Sequence, residues 1–323
     1  MNTEATIAVR VARKVEEALG IQSFELVSAS DKALPAFTAG SHIDVHLPNG
    51  LVRQYSLCNH PSETHRYLLG VLRDPASRGG SQAMHDLVNE GDVLRIGAPK
   101  NHFALEPGAR RSLLLAGGIG ITPLLCMAEQ LASQGAAFEM HYCTRERERT
   151  AFFDRLAGSG LASSVQFHFD AGAPEQKLNI AALLSHPEAG CHLYVCGPKG
   201  FINAVLDQAK LSGWPEAQLH CEFFAGEEVK TEAGDTPFQV KLASSGLLVN
   251  VPVGTTVVKA LADAGMEVMT SCEQGVCGTC LTRVLEGQVD HRDQYLTPEE
   301  QAVNDQFLPC CSRARSPLLV LEL

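Results

Sequence analysis

The stretch SCEQGVCGTC at 271–280 carries Cys272, Cys277 and Cys280, and Cys310 follows downstream in FLPCCSRARS. Thiols at this spacing constrain the chain more than any other feature, because a shared centre forces distant segments onto one loop and one wall. Zinc sites favour paired C-x2–4-C knuckles, whereas C-x4-C-x2-C with a distant fourth cysteine is the plant-type pattern of a two-iron two-sulfur cluster. Zinc and purely structural cysteines are the alternatives, and the ligand spacing favours the cluster. Gly275 and Gly278 suit that reading: without Cβ atoms, their backbone N–H groups can point at cluster sulfurs. Cys311 competes with Cys310 for the fourth place. Neighbours in an extended segment point to opposite faces, so only one can reach the centre, and the spacing from Cys280 favours Cys310.

Eleven cysteines in 323 residues are many for a reducing compartment, where disulfides are rare and clustered thiols bind metal or do redox work. No apolar run approaches the ~18 to 20 residues of a membrane span, and the start MNTEATIAVRVARKVEEALG lacks the features of a secretory signal. A cytoplasmic protein with no membrane partner is expected. With 37 acidic against 26 basic residues, the formal charge of −11 argues against nucleic acid. An acidic surface can also meet a basic protein, although plain solubility accounts for it more simply.

Residues 1–105 present short apolar runs broken by turn signals, among them TIAVRVARKV, QSFELVSA and RYLLGVLRD. The PNG turn between alternating HIDVHL and LVRQYSL is a strong hairpin cue, so this segment is expected to form an antiparallel β-barrel. From 106 to 225 strand-like and helix-like periods alternate, as in RRSLLLAGG followed by TPLLCMAEQLASQG, which predicts a doubly wound parallel α/β domain. The polar stretch 226–237 reads as a linker. Residues 238–323 combine a hairpin, a helix (TTVVKALADAG), the cysteine loop and a final strand PLLVLEL, a small α+β domain. In LTPEEQAV, Thr297 stands as N-cap, Pro298 at the first helical position and Glu300 three beyond the cap, a capping-box start.

LLLAGGIGITPLL sets Gly117, Gly118 and Gly120 at the end of an apolar strand and opens a helix at Thr122 and Pro123. Backbone free of side chains lets a pyrophosphate approach helix amides, whose partial positive charge favours an anion. Pro123 stands where the Rossmann fingerprint has its third glycine, so a purely structural tight turn stays open beside a dinucleotide site. YCTR, with Thr144 and Arg145, and CGP, with Cys196, Gly197 and Pro198, fall at carboxyl ends of predicted parallel strands, where such sheets bind ligands. Taken alone, Cys196 reads as a small core residue more readily than as a reactive one.

In the barrel segment, RQYSL puts Arg53, Gln54, Tyr55 and Ser56 on one strand, with Arg53 and Tyr55 on a shared face. A guanidinium can neutralise a phosphate and a phenol ring can lie against a flat ring system. Alone, the strand reads more readily as ordinary packing. In RDPASRGGSQAMHDLV, Gly79, Gly80 and Ser81 precede a helical period, with Arg73 and Arg78 flanking them. Together the two stretches describe a phosphate cradle and a ring platform, which are the needs of FMN.

RQYSLCN, SRGGS, GGIGITPLL, YCTR, CGP, HCEFFAG and the SCEQGVCGTC to CCSRA cysteine set follow one another along the whole chain. In these the sequence resembles the phthalate dioxygenase reductase family, whose relatives include vanillate demethylase and other Rieske oxygenase reductases. The resemblance implies a flavin barrel, a pyridine-nucleotide domain and a carboxyl-terminal plant-type ferredoxin domain of β-grasp fold. It implies FMN held by RQYS and RGGS, and NADH over GGIGITP, YCTR and CGP. It also implies Glu222 and Phe224 beside the flavin ring and Cys196 near the nicotinamide, so that Ser56, Cys196 and Glu222 are the expected catalytic residues. The implied activity passes electrons from NADH through FMN and a 2Fe-2S cluster to a terminal Rieske oxygenase, from a reductase expected to be monomeric. A P450 or diiron monooxygenase as acceptor and a non-enzymatic redox sensor are competing readings. Arg145 and Arg147 in CTRERER could pair with a 2′-phosphate, which leaves NADPH open. The doubled Cys310–Cys311 departs from the single cysteine commoner in the family.

Overall fold

The computed structural model describes residues 6–30, 32–75, 77, 79–158, 160–224, 234–266, 268–270, 275–276 and 278–323. Arg78, Cys272, Cys277 and most of the expected linker therefore lie outside the described residues. Its first strands are β1 (Ile7–Ala18), β2 (Ile21–Ser28), β3 (Ser41–His46), β4 (Val52–Ser56), β5 (Arg66–Leu72), β6 (Val93–Ile96) and β7 (Lys100–Asn101), with helix α1 (Gly80–Leu87) after β5. The strands form one antiparallel sheet in the order β4-β3-β6-β1-β2-β5, with β7 beside β3. The expected PNG hairpin is the β3–β4 pair, with His46 opposite Val52 and Gly50 in the left-handed region at φ 83°. A bridge from Leu57 to Leu69 joins the two ends of the strand order, so the sheet curls on itself as a barrel. Val9, Val11, Phe24, Leu26, Ile43, Val45 and Ile96 are all fully buried within it.

Next come β8 (Arg111–Gly117), β9 (Phe138–Thr144), β10 (Val165–Phe169), β11 (Cys191–Cys196) and β12 (Leu219–Glu222), with helices α2 (Ile121–Ser133), α3 (Phe153–Gly158), α4 (Ile180–Leu183) and α5 (Lys199–Leu211). These strands form a parallel sheet in the order β10-β9-β8-β11-β12. The chain runs from β8 out to β10 and then returns to β11, so the sheet's switch point lies between β8 and β11.

The first eight residues of α2, Ile121 to Ala128, are buried without interruption, while its polar last turn, with Glu129, Gln130 and Ser133, reaches the surface. One core runs from Phe24 of the barrel through Leu124 and Met127 of α2 to Met140 and Tyr142 of β9. The topology changes at 105–106 but the core does not break there, and residues Met1–Phe223 form one compact unit. Gly70 of β5 marks the junction: an added Cβ would come within 2.8 Å of Thr122 Cγ2 and 3.2 Å of the Phe152 ring. On the other face of the sheet, Leu113, Leu115, Leu193 and Val195 pack with Ile202 and Val205 of α5 and with Trp214. Among the described residues, no helix is long and apolar enough to cross a membrane.

The second unit, Phe224–Leu323, holds β13 (Phe238–Leu242), β14 (Leu248–Val251), helix α6 (Val257–Asp263), β15 (Thr282–Glu286), β16 (Val289–Asp290), helix α7 (Pro298–Val303), β17 (Gln306–Phe307), β18 (Arg313–Ala314) and β19 (Leu318–Leu321). Its mixed sheet has the order β14-β13-β19-β15-β17, with only β13 and β19 parallel, while β16 pairs with β18. Val257 and Leu261 of α6 join Val240, Leu242, Leu319 and Leu321 in its core, so the sheet grips one helix in a β-grasp arrangement. The capping box opens α7 as its residues dictate: Glu300 N–H donates to Thr297 Oγ1 at 3.3 Å and Thr297 N–H to Glu300 Oε2 at 2.8 Å.

A buried ion cluster ties the start of this unit to its end. Arg292 donates to both carboxylate oxygens of Asp235, at 2.5 and 3.3 Å, and pairs with Asp290. Arg313 approaches the same Asp235 at 3.7 Å, donates to the carbonyls of Thr236, Pro252 and Thr255, and lies over the Phe238 ring. Asp235 and Arg313 side chains are each only 5 % exposed, so removing the carboxylate leaves buried positive charge unmatched. Asp235→Ala is expected to destabilise this unit by about 3 kcal/mol, the scale for a broken buried ion pair. Urea unfolding followed by circular dichroism measures it, and an unchanged midpoint would mean that desolvation cancels the attraction.

Candidate functional site

Strand β4 and the glycine turn before α1 meet at one place. Gly79, the N-cap of α1, takes φ 86°, a conformation that favours a residue without Cβ. The Asn49 side-chain amide donates to Gly79 O at 3.1 Å, and Ser81 Oγ accepts from Asp74 N–H at 3.2 Å, so the turn is fixed from both sides. Arg53 lies over Gly80, where an added Cβ would come within 2.7 Å of Arg53 Cγ and Nε. Arg53 and the amino end of α1 are therefore neighbours, and the Arg53 guanidinium also donates to Val52 O at 2.8 Å. Arg73 points elsewhere: its side chain is half-exposed and pairs with Asp86 at 2.9 Å. Tyr55 stands opposite Ile43 and shares its strand face with Arg53, while Gln54 stands opposite Asp44. Burial raises the Tyr55 phenol well above its ordinary range, which keeps it neutral.

At the end of β4, the buried Ser56 hydroxyl donates to Glu222 Oε2 at 3.4 Å, across 166 residues of sequence. Glu222 is the last residue of β12 and pairs with Cys196, the last residue of β11. Desolvation pushes the Glu222 carboxyl up to about 8, with the Ser56 hydrogen bond acting in the other direction. Burial also holds the Cys196 thiol far above its ordinary range, and the Glu222 carboxyl adds to the shift. Cys196 is thus a neutral thiol with no exposed surface, poorly suited to act as a nucleophile.

The three strand-end glycines have different surroundings. An added Cβ on Gly120 would lie 2.2 Å from Cys196 O, and one on Gly117 would lie 2.9 Å from both Pro198 Cδ and the Phe201 ring. Both glycines therefore allow the close approach of the carboxyl ends of the neighbouring parallel strands β8 and β11. Gly118, at φ 53°, has open space where its side chain would be, which is the room a pyrophosphate needs at a switch point. Gly197 backs on Gly117. The Thr122 hydroxyl donates to Ile119 O at 3.1 Å, within its own turn. Thr144 is also turned inward, donating to Glu146 O at 3.2 Å and lying 2.8 Å from the Thr150 hydroxyl, while Arg145 is exposed. Arg147, the other candidate for a 2′-phosphate, lies over the Phe153 ring at 4.2 Å. Phe224, the first residue of the second unit, is 39 % exposed.

In the second unit, Cys280, Cys310 and Cys311 are buried together with Leu296 and Leu308. Gly275 and Gly278 both take left-handed conformations, at φ 75° and 71°. An added Cβ on Gly275 would lie 2.4 Å from Cys311 Sγ, and one on Gly278 would lie 2.3 Å from the Tyr295 ring. Gly275 is thus pressed against Asp293 and Cys311, and Gly278 against Tyr295. The Cys311 thiol is directed at Leu308 O, 3.6 Å away. The soft sulfur donors and the glycines forced against these neighbours fit a 2Fe-2S cluster, with Cys311 facing protein. Asp293 and Tyr295 were invisible to motif reasoning, because they lie in a polar stretch that reads as loop, and Ser312 was given no role although it stands inside CCSRA.

Two families match parts of the chain: the 2Fe-2S iron-sulfur cluster binding domain at residues 240–315, and the dimethylamine monooxygenase subunit DmmA-like N-terminal domain at residues 98–219. The chain is 57 % identical to the vanillate O-demethylase oxidoreductase of Pseudomonas putida over 317 residues, covering 98 % of this chain and 99 % of that one. It is similar to the structure of phthalate dioxygenase reductase, described as modular for electron transfer from pyridine nucleotides to 2Fe-2S. There the TM-score is 0.77 at 38 % identity, covering 99 % of this chain and 98 % of the other. It is also similar to an intact type IV self-sufficient cytochrome P450 monooxygenase, with a TM-score of 0.87 at 38 % identity, but spans only 41 % of that longer chain.

The raised Glu222 carboxyl has a consequence for stability. A group whose folded pKa lies above its ordinary 4.5 stabilises fully below that value, and the contribution is lost as pH rises through about 8. Thermal melts between these limits are expected to decline less steeply for Glu222→Gln than for the parent protein. An identical slope would show that the carboxyl is already charged at neutral pH.

Proposed function

Because the chain belongs to the phthalate dioxygenase reductase family, we propose that it takes electrons from NADH, passes them through FMN and a 2Fe-2S cluster, and delivers them to a terminal oxygenase. The observation that carries this reading is the Ser56–Glu222 contact at 3.4 Å, which brings the flavin-type strand of the barrel to the ligand end of the nucleotide sheet. A flavin supplies the conversion of a two-electron hydride into single electrons, and a 2Fe-2S cluster accepts them one at a time.

The chain's own residues do the rest. Arg53 and the amino end of α1 hold the flavin phosphate, Tyr55 gives a face for the ring, and Gly118 leaves space for the nucleotide pyrophosphate. Ser56 and Glu222 hold a proton between them at the junction, with the Cys196 thiol packed beside it as a neutral group. Cys272, Cys277, Cys280 and Cys310 are the proposed cluster ligands. The flavin part is assigned to 1–105, the nucleotide part to 106–225, the linker to 226–237 and the ferredoxin part to 238–323. The cytoplasm is the proposed location, since clustered thiols persist in a reducing compartment.

A Rieske demethylase or dioxygenase is the partner we favour, on the full-length similarity to the vanillate enzyme's oxidoreductase. A P450 acceptor is the second reading, favoured by the similarity to the self-sufficient monooxygenase. Reconstitution of NADH-dependent turnover with a purified Rieske demethylase and with a P450 distinguishes the two. Residues 238–323 carry ten acidic against six basic residues, so turnover with the partner is expected to fall as salt rises. Salt-independent turnover would remove electrostatic docking.

The ligand assignment predicts about two irons per chain in the purified protein. Cys310→Ala should abolish the cluster absorbance and Cys311→Ala should leave it, and the opposite pattern would reassign the fourth ligand.

A further inference from the structure

The wall behind the cysteine loop contains a carboxylate to which none of these roles is assigned. Asp293 has no exposed side-chain surface. Its Oδ2 accepts from Leu296 N–H at 2.9 Å, its Oδ1 accepts from the Ser312 hydroxyl at 3.3 Å, and His291 Nδ1 lies 3.4 Å from Oδ1. The same residue abuts the loop, since an added Cβ on Gly275 would come within 3.0 Å of Asp293 Cα, and Gln294 N–H donates to Gly275 O at 2.9 Å. Gly275 lies between Cys272 and Cys277 in sequence, and Ser312 lies two residues beyond Cys310. The 293–294 turn therefore holds both segments, with Asp293 packed against Gly275 and bonded to Ser312 and with Gln294 N–H bonded to Gly275 O. The nearby guanidinium groups are directed elsewhere: Arg292 to Asp235 and Asp290, and Arg313 to Asp235 and backbone carbonyls.

We propose that Asp293 is a positioning residue that also sets the reduction potential of the 2Fe-2S cluster, by packing under Gly275, bonding the Ser312 hydroxyl of the Cys310 segment and placing a carboxylate between them. The inference rests on the reading of the cysteines as cluster ligands. Net charge, hydrogen bonding and solvent exposure are the means by which a protein sets such a potential. An added electron makes the cluster more negative, and a fixed anion in a poorly solvated wall opposes it more strongly than the same charge in water. Asp293 thus keeps the potential low, and the Ser312 hydroxyl moderates it by donating to the carboxylate.

The two residues make opposite predictions, which a purely structural role does not. In redox titrations of the full-length protein followed by EPR, Asp293→Asn should favour the reduced cluster by about three- to tenfold. That corresponds to roughly 30 to 60 mV upward for a one-electron couple. Ser312→Ala withdraws a donor from the carboxylate and should shift the potential downward. Unshifted potentials, or shifts in the same direction, overturn the proposal. If Asp293→Asn assembles no cluster, Ser312→Ala decides alone: a downward shift supports the proposal and any other result overturns it. A parent protein without the EPR signal of a reduced cluster would instead overturn the underlying ligand reading.

Discussion

The first unit depends on the burial of the first two turns of α2. Ile121 to Ala128, almost all apolar, show no face to water, and barrel and parallel sheet both pack on them. The contact of Gly70 with Thr122 and Phe152 is where the two layers touch with no room for a side chain between them. Once this core is formed, the ends of β4, β11 and β12 share one region, and Ser56 reaches Glu222 without either segment carrying a signal for the other. The nucleotide crevice follows from the same packing. Gly117 and Gly120 let the segments at the ends of β8 and β11 approach closely, and Gly118 is left facing open space.

The second unit meets a different difficulty. A loop carrying several thiols has few apolar side chains of its own, so its shape must be imposed from outside. Gly275 and Gly278 adopt left-handed conformations against Asp293, Cys311 and Tyr295, and a side chain at either position would clash with those residues. The wall is itself fixed by buried charge. Arg292 and Arg313 bind Asp235 on one side, and Asp293 accepts from Leu296 N–H and Ser312 on the other. Buried ion pairs are modest contributors to stability because desolvation opposes them, but a partner removed leaves a charge that nothing nearby can satisfy. Such a network favours one arrangement of the cysteine-bearing segments over its alternatives.

Features encoded within a few residues were legible before the structure. The C-x4-C-x2-C spacing, the PNG hairpin and the Thr297 capping box each depend on local geometry, and the last two take the form their residues dictate. The helices and parallel strands of 106–225 were legible from periodicity, because burial repeats with the period of the element. Other residues were placed in the right stretch with the wrong outlook. Arg73 turns to Asp86, and the hydroxyls of Thr122 and Thr144 bond within their own turns. No motif distinguishes a polar side chain that faces a ligand from one that closes a loop.

From the sequence alone came the chemistry that ligand spacing and turn composition encode: a set of thiols suited to an iron-sulfur cluster, two glycine-rich turns that open helices, and three successive strand patterns. Tertiary structure alone decided which side chains meet, because contacts such as Ser56 with Glu222 or Asp235 with Arg292 join residues far apart in the chain. Those contacts exist only once apolar burial has brought the segments together, and burial depends on the whole chain. Polar residues such as Asp293 carry no periodic signal, so only the folded wall reveals which of them lies buried beside the cysteines.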